Sequence, residues 1–351
     1  MQGDAAPRVS VLMTTWNGAA SIRASIASIL GQSCPDFELV VVDDGSTDGT
    51  AEILAGIGDP RLRVLRPGRN LGIVGARNHG FAACRGEYLA VLDHDDLAHP
   101  ARLARQLAHL EAHPEIAFLG TAVEIMAADG RRREAEAPPG RTPLLLRWAL
   151  LVDNPFTWSS MMFRMAALRR LTVFLRPEAE YADDFDLYHR LLAAGEPGRL
   201  AEVLTTYRWH ATNTTHAAAA ALTARAAAVL AAAYRPWLGE GAEAAARLAV
   251  RHLSDRKPVR EATTLLALGE VLEALLAGFA AGLAPADRAA VTQAAGRLWW
   301  RVVRAAARSG QPWLLRHWPA APALAAGFRP GAGEVTAAAA IGLLRALRRP
   351  G

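Results

Sequence analysis

Phe37-Glu38-Leu39-Val40-Val41-Val42-Asp43-Asp44-Gly45-Ser46 is the stretch that decides the fold class. An apolar run of strand length stops at paired carboxylates and a turn-forming Gly-Ser. The pattern recurs at Tyr88-Leu89-Ala90-Val91-Leu92, which runs into Asp93-His94-Asp95-Asp96. A third acidic cluster, Asp183-Asp184-Phe185-Asp186, opens a segment with helical spacing. Carboxylates at the carboxyl ends of parallel strands lie where open α/β sheets bind ligands. The leading reading is a metal- and nucleotide-dependent enzyme.

Upstream, Val9 to Met13 reads as a buried strand, and Ile22, Ile26, Ile29 and Leu30 recur at helical spacing. Downstream, Thr50 to Ile57 reads as a helix, Arg61 to Leu65 as a strand and Val74 to Cys84 as a helix. This β-α-β-α order predicts an α/β fold with a mostly parallel central sheet and right-handed crossovers. Pro100 starts a helix over Ala101 to His113, and Ile116 to Met126 enters a hairpin through Ala127-Ala128-Asp129-Gly130. Pro138-Pro139-Gly140 marks a break. From about residue 217 the chain becomes Ala-rich and helical, punctuated by Pro236, Pro258, Pro285, Pro312 and Pro319.

At 351 residues, 52% hydrophobic and 21% charged, the chain is incompatible with wholesale disorder. Cys34 and Cys84 are its only cysteines, so a disulfide framework is not expected and a cytosolic setting is. No signal peptide is expected, because strand-like sequence starts at Val9. Residues 1–216 carry 22 basic against 26 acidic side chains, and 217–351 carry 17 against 8. That asymmetry reflects either a surface function or an Ala/Arg-favouring genome. Thr263 to Leu283 is the most apolar long segment, but Glu270 and Glu273 argue against a spanning helix.

Several side chains could carry chemistry. Trp16, in Thr14-Thr15-Trp16-Asn17-Gly18, is either a base-stacking platform or ordinary packing. Asp44 could accept a hydrogen bond from a pyrimidine N–H, although Asp43 to Gly49 equally suits a turn and helix cap. Asp93 and Asp95, two apart on an extended segment, would share one face, and close carboxylates call for a cation. Mg²⁺ or Mn²⁺ suits such hard oxygen ligands. The alternative is that Asp96 or His99 caps the next helix. Arg77 could meet phosphate or base oxygens, or remain a solvated surface arginine. Acids at the start of the helix from Asp183 also suit the helix dipole, and His210 could be a metal ligand or an ordinary histidine.

In this order the motifs Val9 to Asn17, Val41 to Asp48, Asn70-Leu71-Gly72 with Ala76-Arg77-Asn78, and Gly86-Glu87-Tyr88 through Asp96 resemble the family 2 glycosyltransferases. The resemblance covers about residues 8–212. It implies a GT-A fold, Rossmann-like, and an inverting transfer from a nucleotide diphosphate sugar, UDP foremost, to an acceptor hydroxyl. It places Thr14, Trp16 and Asp44 at the base, Arg77 near base or diphosphate, and Asp93 at the ribose. It places Asp95 at a Mn²⁺ or Mg²⁺ ion and Asp184 as the general base. An Arg-x-His corresponding to Arg208 and His210 would approach metal and diphosphate. Asp183 stands where the family usually has Glu, which shortens that side chain. The acceptor implied is a saccharide, a lipid-linked glycan or another hydroxyl, with no nucleic-acid partner. The expected domains are 1–130 for the donor half, 131–216 for the acceptor and catalytic-base half, and 217–351 for a helical region.

Arg297, Arg301, Arg304 and Arg308 form one helical stripe near Trp299, Trp300, Trp313 and Trp318. Residues 294–318 could therefore rest on an anionic bilayer at the inner face of the plasma membrane; the alternative is a packed helical subdomain. A nucleotidyltransferase would want a Gly-rich basic loop after the first strand, and a dinucleotide dehydrogenase a Gly-x-Gly-x-x-Gly there. Thr14 to Gly18 is neither. A degenerate sugar-nucleotide-binding scaffold would not need Asp44, Asp93, Asp95 and Asp184 together.

Overall fold

The computed structural model describes residues 6–134, 142–210 and 218–347. The chain divides into two compact units, one of residues 1–143 and 155–225, the other of residues 144–154 and 226–351. The Pro138-Pro139-Gly140 break and the boundary expected at 216/217 lie outside the described residues.

The first unit is built on one nine-stranded mixed sheet. Strands β1 (Val9–Thr15), β2 (Phe37–Asp43), β3 (Leu62–Leu65) and β4 (Tyr88–Val91) run parallel in the order β3-β2-β1-β4. Helices α1 (Ile22–Leu30), α2 (Thr50–Ala55) and α3 (Gly72–Ala83) connect them. Strands β1, β2 and β4 are buried along most of their length because both faces are covered. Val9, Val11, Met13, Leu39 and Val41 share a core with Ile22, Ile26 and Ile29 of α1. Leu12 and Val42, on the other face, close on Gly80 of α3, where a Cβ would collide with both.

Glu38 interrupts β2 without penalty because it is fully partnered. It accepts hydrogen bonds from Ser10 Oγ (2.7 Å), the Arg85 N–H (2.8 Å) and Arg63 Nη1 (2.7 Å). Gly86 then turns into β4 against the β1 backbone. A Cβ there would lie 2.8 Å from the Val9 carbonyl carbon, so no larger residue fits.

The remaining strands leave the parallel pattern. After β5 (Leu97–Ala98) and α4 (Arg102–Ala112), β6 (Ile116–Met126) and β7 (Arg132–Glu134) form the expected hairpin. Helix α5 (Pro143–Leu150) follows. Strand β8 (Met162–Arg164), which periodicity does not announce, inserts antiparallel between β4 and β6. Helices α6 (Met165–Leu168) and α7 (Asp183–Leu191) precede β9 (Glu196–Arg208), which runs parallel to β6 and antiparallel to β5. Nine strands in this order, followed by helices, make the GT-A architecture.

The second unit is helical: besides α5 it holds α8 (Ala219–Leu238), α9 (Ala242–Ala249), α10 (Ala262–Ala280), α11 (Pro285–Arg308), α12 (Pro322–Gly327) and α13 (Ala332–Leu347). Of α8 to α13, the first starts in the preceding unit, and Pro236 lies inside it near its end rather than breaking it. Helix α10, of 19 residues and mean hydropathy 1.5, is long and apolar enough to cross a membrane. One face of it is buried, 33% of its apolar window: Leu265, Leu268, Leu272 and Leu275 are fully buried, and Glu273 accepts the Ala323 N–H at 2.7 Å. Trp299 and Trp300 of α11 are buried as well, and Trp299 Nε1 donates to the Trp318 carbonyl at 3.0 Å. Two of the four tryptophans of 294–318 thus face the interior of this unit, while Trp313 is exposed.

Cys34 and Cys84 are free and buried. Burial pushes the Cys84 thiol up to about 12, so it stays protonated and unreactive.

Candidate active site

Sheet register sets the site. Residues Val9 to Thr15 pair with Phe37 to Asp43, so β1 and β2 end level with one another. Leu12 pairs with Val91, and two residues further Asp93 comes level with Thr14. By alternation Thr14 and Asp93 fall on the sheet face of Leu12, the face covered by α3. Asp44 Oδ1 accepts the Leu71 N–H at 2.7 Å, and its carbonyl accepts from Asn70 Nδ2 at 2.9 Å. The second loop is thus tied to the entrance of α3. Trp16 stands out with 58% of its surface exposed. An aromatic there is available for stacking; it is not packing.

The first two loops also brace each other. Asn17, at φ 53°, donates its N–H to Ser46 Oγ (2.9 Å) and accepts the Thr47 N–H (2.8 Å). Asp48 takes part of the capping role, accepting the Thr50 N–H at 3.2 Å. Asp44 is left to its separate bond with Leu71.

Residues 93–96 form a turn, closed by the Asp96 N–H on the Asp93 carbonyl at 3.2 Å, and not the extended segment expected. Asp93 and Asp95 remain electrostatic neighbours. Burial pushes the Asp93 carboxyl above its usual range, Arg77 pulls it back, and Asp95 pushes it up again. His210 Nε2 lies 2.8 Å from Asp95 Oδ2, so the end of β9 meets the turn after β4. Asp96 does not cap a helix: fully buried, it accepts the Arg208 N–H at 2.9 Å and fixes that approach. Burial, with Asp95 and Asp93 nearby, raises its carboxyl well above the ordinary range. His99 Nδ1 accepts the Ala101 N–H at 3.2 Å just ahead of α4, which has no side-chain cap bond of its own.

Arg77 is buried, not a surface arginine. Its Nη1 donates to Asp183 Oδ2 (2.8 Å), its Nη2 to Asp93 Oδ1 (3.0 Å), and its guanidinium covers the Trp158 ring at 4.5 Å. Burial opposes its charge, but Asp183 and Asp93 outweigh burial and hold its pKa above the ordinary value. Asp184 also contributes to that field, and its Oδ1 accepts the Phe185 N–H at 2.7 Å. Thus α7 presents Asp183 inward and Asp184 in the first turn beside it.

Sequence reasoning missed Trp158 and Ser159. Ser159 Oγ accepts the Asp93 N–H at 3.0 Å and lies 3.3 Å from Asp93 Oδ2. Thr157-Trp158-Ser159-Ser160 is a short polar-aromatic run without periodicity, and its only signal was an unexplained tryptophan. Asp183 was undervalued because it looked like a shortened glutamate.

Among the described residues no group of three or more His, Cys, Asp or Glu side chains could hold a metal ion. Asp95 and His210 form a pair. One carboxylate and one imidazole fit Mn²⁺ or Mg²⁺ where a substrate diphosphate and water complete the shell.

Comparison with known proteins defines the class. The family model for glycosyl transferase family 2 matches residues 10–172. Putative glycosyltransferase EpsE of Bacillus subtilis (strain 168) is 32% identical over 196 residues, 55% of this chain and 69% of that one. Succinoglycan biosynthesis protein ExoO of Rhizobium meliloti (strain 1021) is 33% identical over 217 residues, 59% of this chain and 62% of its own. Putative colanic acid biosynthesis glycosyl transferase WcaA of Escherichia coli (strain K12) is 28% identical over 204 residues, 56% and 70%. The matched segment spans roughly two thirds of these relatives' length. In fold, the chain is similar to S. aureus TarS 1-349 crystallised with UDP-GlcNAc, at TM-score 0.53 and 18% identity, over 95% of this chain and 90% of that one. The chain belongs to glycosyl transferase family 2. It is a glycosyltransferase with a GT-A catalytic unit.

Proposed function

We propose that the chain transfers one sugar, or a few, from a nucleoside diphosphate sugar to an acceptor hydroxyl with inversion at the anomeric carbon. UDP is the favoured carrier, and the product belongs to cell-envelope polysaccharide or lipid-linked glycan synthesis. The observation that supports this most is Arg77, which holds Asp93 of the β4 turn and Asp183 of α7 on one guanidinium. Donor-side and acceptor-side carboxylates are thereby kept at one locus. The relatives' polysaccharide names and the UDP-GlcNAc bound to TarS support the substrate class.

In this mechanism Trp16 stacks on the base, Asp44 accepts a hydrogen bond from its N–H, and the Thr14 hydroxyl donates or accepts at its edge. Asp93, oriented by Ser159 and Arg77, meets the ribose. Asp95 and His210 would hold Mn²⁺ or Mg²⁺, which supplies Lewis-acid stabilisation of the departing diphosphate. Asp184 takes the acceptor proton as the hydroxyl oxygen attacks the anomeric carbon. The new C–O bond forms on the face opposite the breaking bond to the diphosphate, so one displacement inverts the centre without a covalent enzyme intermediate.

The test is nucleoside diphosphate release from a panel of UDP, dTDP and GDP sugars with Mn²⁺, followed through thermal shift and hydrolysis. Stabilisation and turnover with one carrier are expected. A purified, folded chain that neither binds nor hydrolyses any of them would overturn the reading.

A further inference from the structure

Helix α13 is amphipathic in reverse. Its inward positions carry small residues: Ala338 and Gly342 are buried, and Gly342 packs so tightly on the Ala307 carbonyl and Pro312 that a Cβ has no room. Its three leucines point outward, with Leu343 54%, Leu344 56% and Leu347 82% exposed, while Val335 and Ile341 are partly buried. A surface helix ordinarily turns such residues to the core. Trp313, next to the Pro312 that Gly342 touches, is 51% exposed.

The charge of this stretch of the chain is one-sided. Residues 301–347 hold six arginines and a single acidic residue, Glu334, which lies 3.7 Å from Arg304. Arg316 and Arg345 are exposed, and Arg345 Nη1 donates to the Arg308 carbonyl at 3.2 Å, which fixes it beside the leucines.

We propose that the outer face of α13, with Trp313, docks on an anionic lipid bilayer. Leucines entering the acyl boundary, a tryptophan at headgroup depth and arginines among the headgroups are the chemistry of an interfacial helix. Charge selects this occupant over a second copy of the chain, which would bring the same arginines face to face. Anionic headgroups neutralise them. The apolar part of the surface comes from α13; Trp313 and Arg316 belong to residues 294–318, whose Trp299 and Trp300 are buried, and the docking does not depend on the transfer chemistry.

Co-sedimentation of the full chain with phosphatidylcholine vesicles, with and without phosphatidylglycerol, tests the proposal. Binding to the anionic vesicles alone is expected, weakening with added salt. The triple variant Leu343→Glu/Leu344→Glu/Leu347→Glu should bind about tenfold more weakly or worse, and Arg316→Glu/Arg345→Glu should remove the salt dependence. If the triple variant loses its fold by circular dichroism, Leu347→Glu alone carries the same expectation at smaller amplitude. Wild-type chain that stays in solution with anionic vesicles, or variants that sediment like wild type, would overturn it. So would a dimer in analytical ultracentrifugation that the leucine variant dissociates while vesicle binding is absent.

Discussion

Arg77 Nη1 and Asp183 Oδ2 lie 2.8 Å apart across 106 residues of sequence. The pair is buried on both sides, with 7% and 4% of the side chains exposed. Removing Arg77 takes the charged partner from the buried Asp183, which costs about 3–5 kcal/mol. Arg77→Ala should therefore lower urea-unfolding stability by that order and abolish transfer. Arg77→Lys should fold better yet remain poorly active, since a point charge cannot reproduce a fork that spans two carboxylates. An Arg77→Lys variant with wild-type kcat would refute this role.

Asp184→Asn tests the proposed base. The amide keeps the size of the side chain and can still accept the Phe185 N–H, so the fold should persist. Turnover should fall by about 10²–10⁴, with donor affinity by calorimetry nearly unchanged. Equal losses in affinity and turnover would place Asp184 in donor binding instead.

The Asp95 and His210 pair gives a metal prediction. Asp95→Ala should abolish chelator-sensitive stabilisation by UDP-sugar and Mn²⁺. His210→Ala should raise the Mn²⁺ concentration needed for half-maximal activity, by about tenfold if it is a ligand. A His210→Ala chain with an unchanged Mn²⁺ titration would assign the histidine to the diphosphate or to Asp95 alone.

Glu38 gives a pH prediction. Burial pushes its carboxyl up, but hydrogen bonds from Ser10, Arg85 and Arg63 more than offset that, and its pKa falls below the ordinary value. Stability from a depressed carboxylate is complete above its unfolded pKa and is lost as pH falls through the folded one. The urea midpoint should thus decline as pH drops from about 5 toward 3. Glu38→Gln should start lower and decline less steeply. Parallel curves would dismiss Glu38 as a source of the acid sensitivity.

Much of the site was legible because its loops follow strands whose apolar runs end in acids. Thr14, Trp16, Asp44 and Asp93 all fall where a run of buried residues stops. The turn at 93–96 was not legible, because its closing bond and the buried Asp96–Arg208 contact depend on β9, more than a hundred residues away.

By itself the sequence determined the order of strands and helices from Val9 to Met126 and the positions of the acidic loops. Those depend on local matters: hydrophobic period, β-branching, and where Gly, Asp and Pro interrupt them. Only the tertiary structure decided that Arg77 is clamped between Asp93 and Asp183, that Trp158 and Ser159 complete that locus, and that the leucines of α13 face outward. Each depends on burial and partners supplied by segments distant in the chain, and a residue type does not reveal which other charge or surface will come to lie against it.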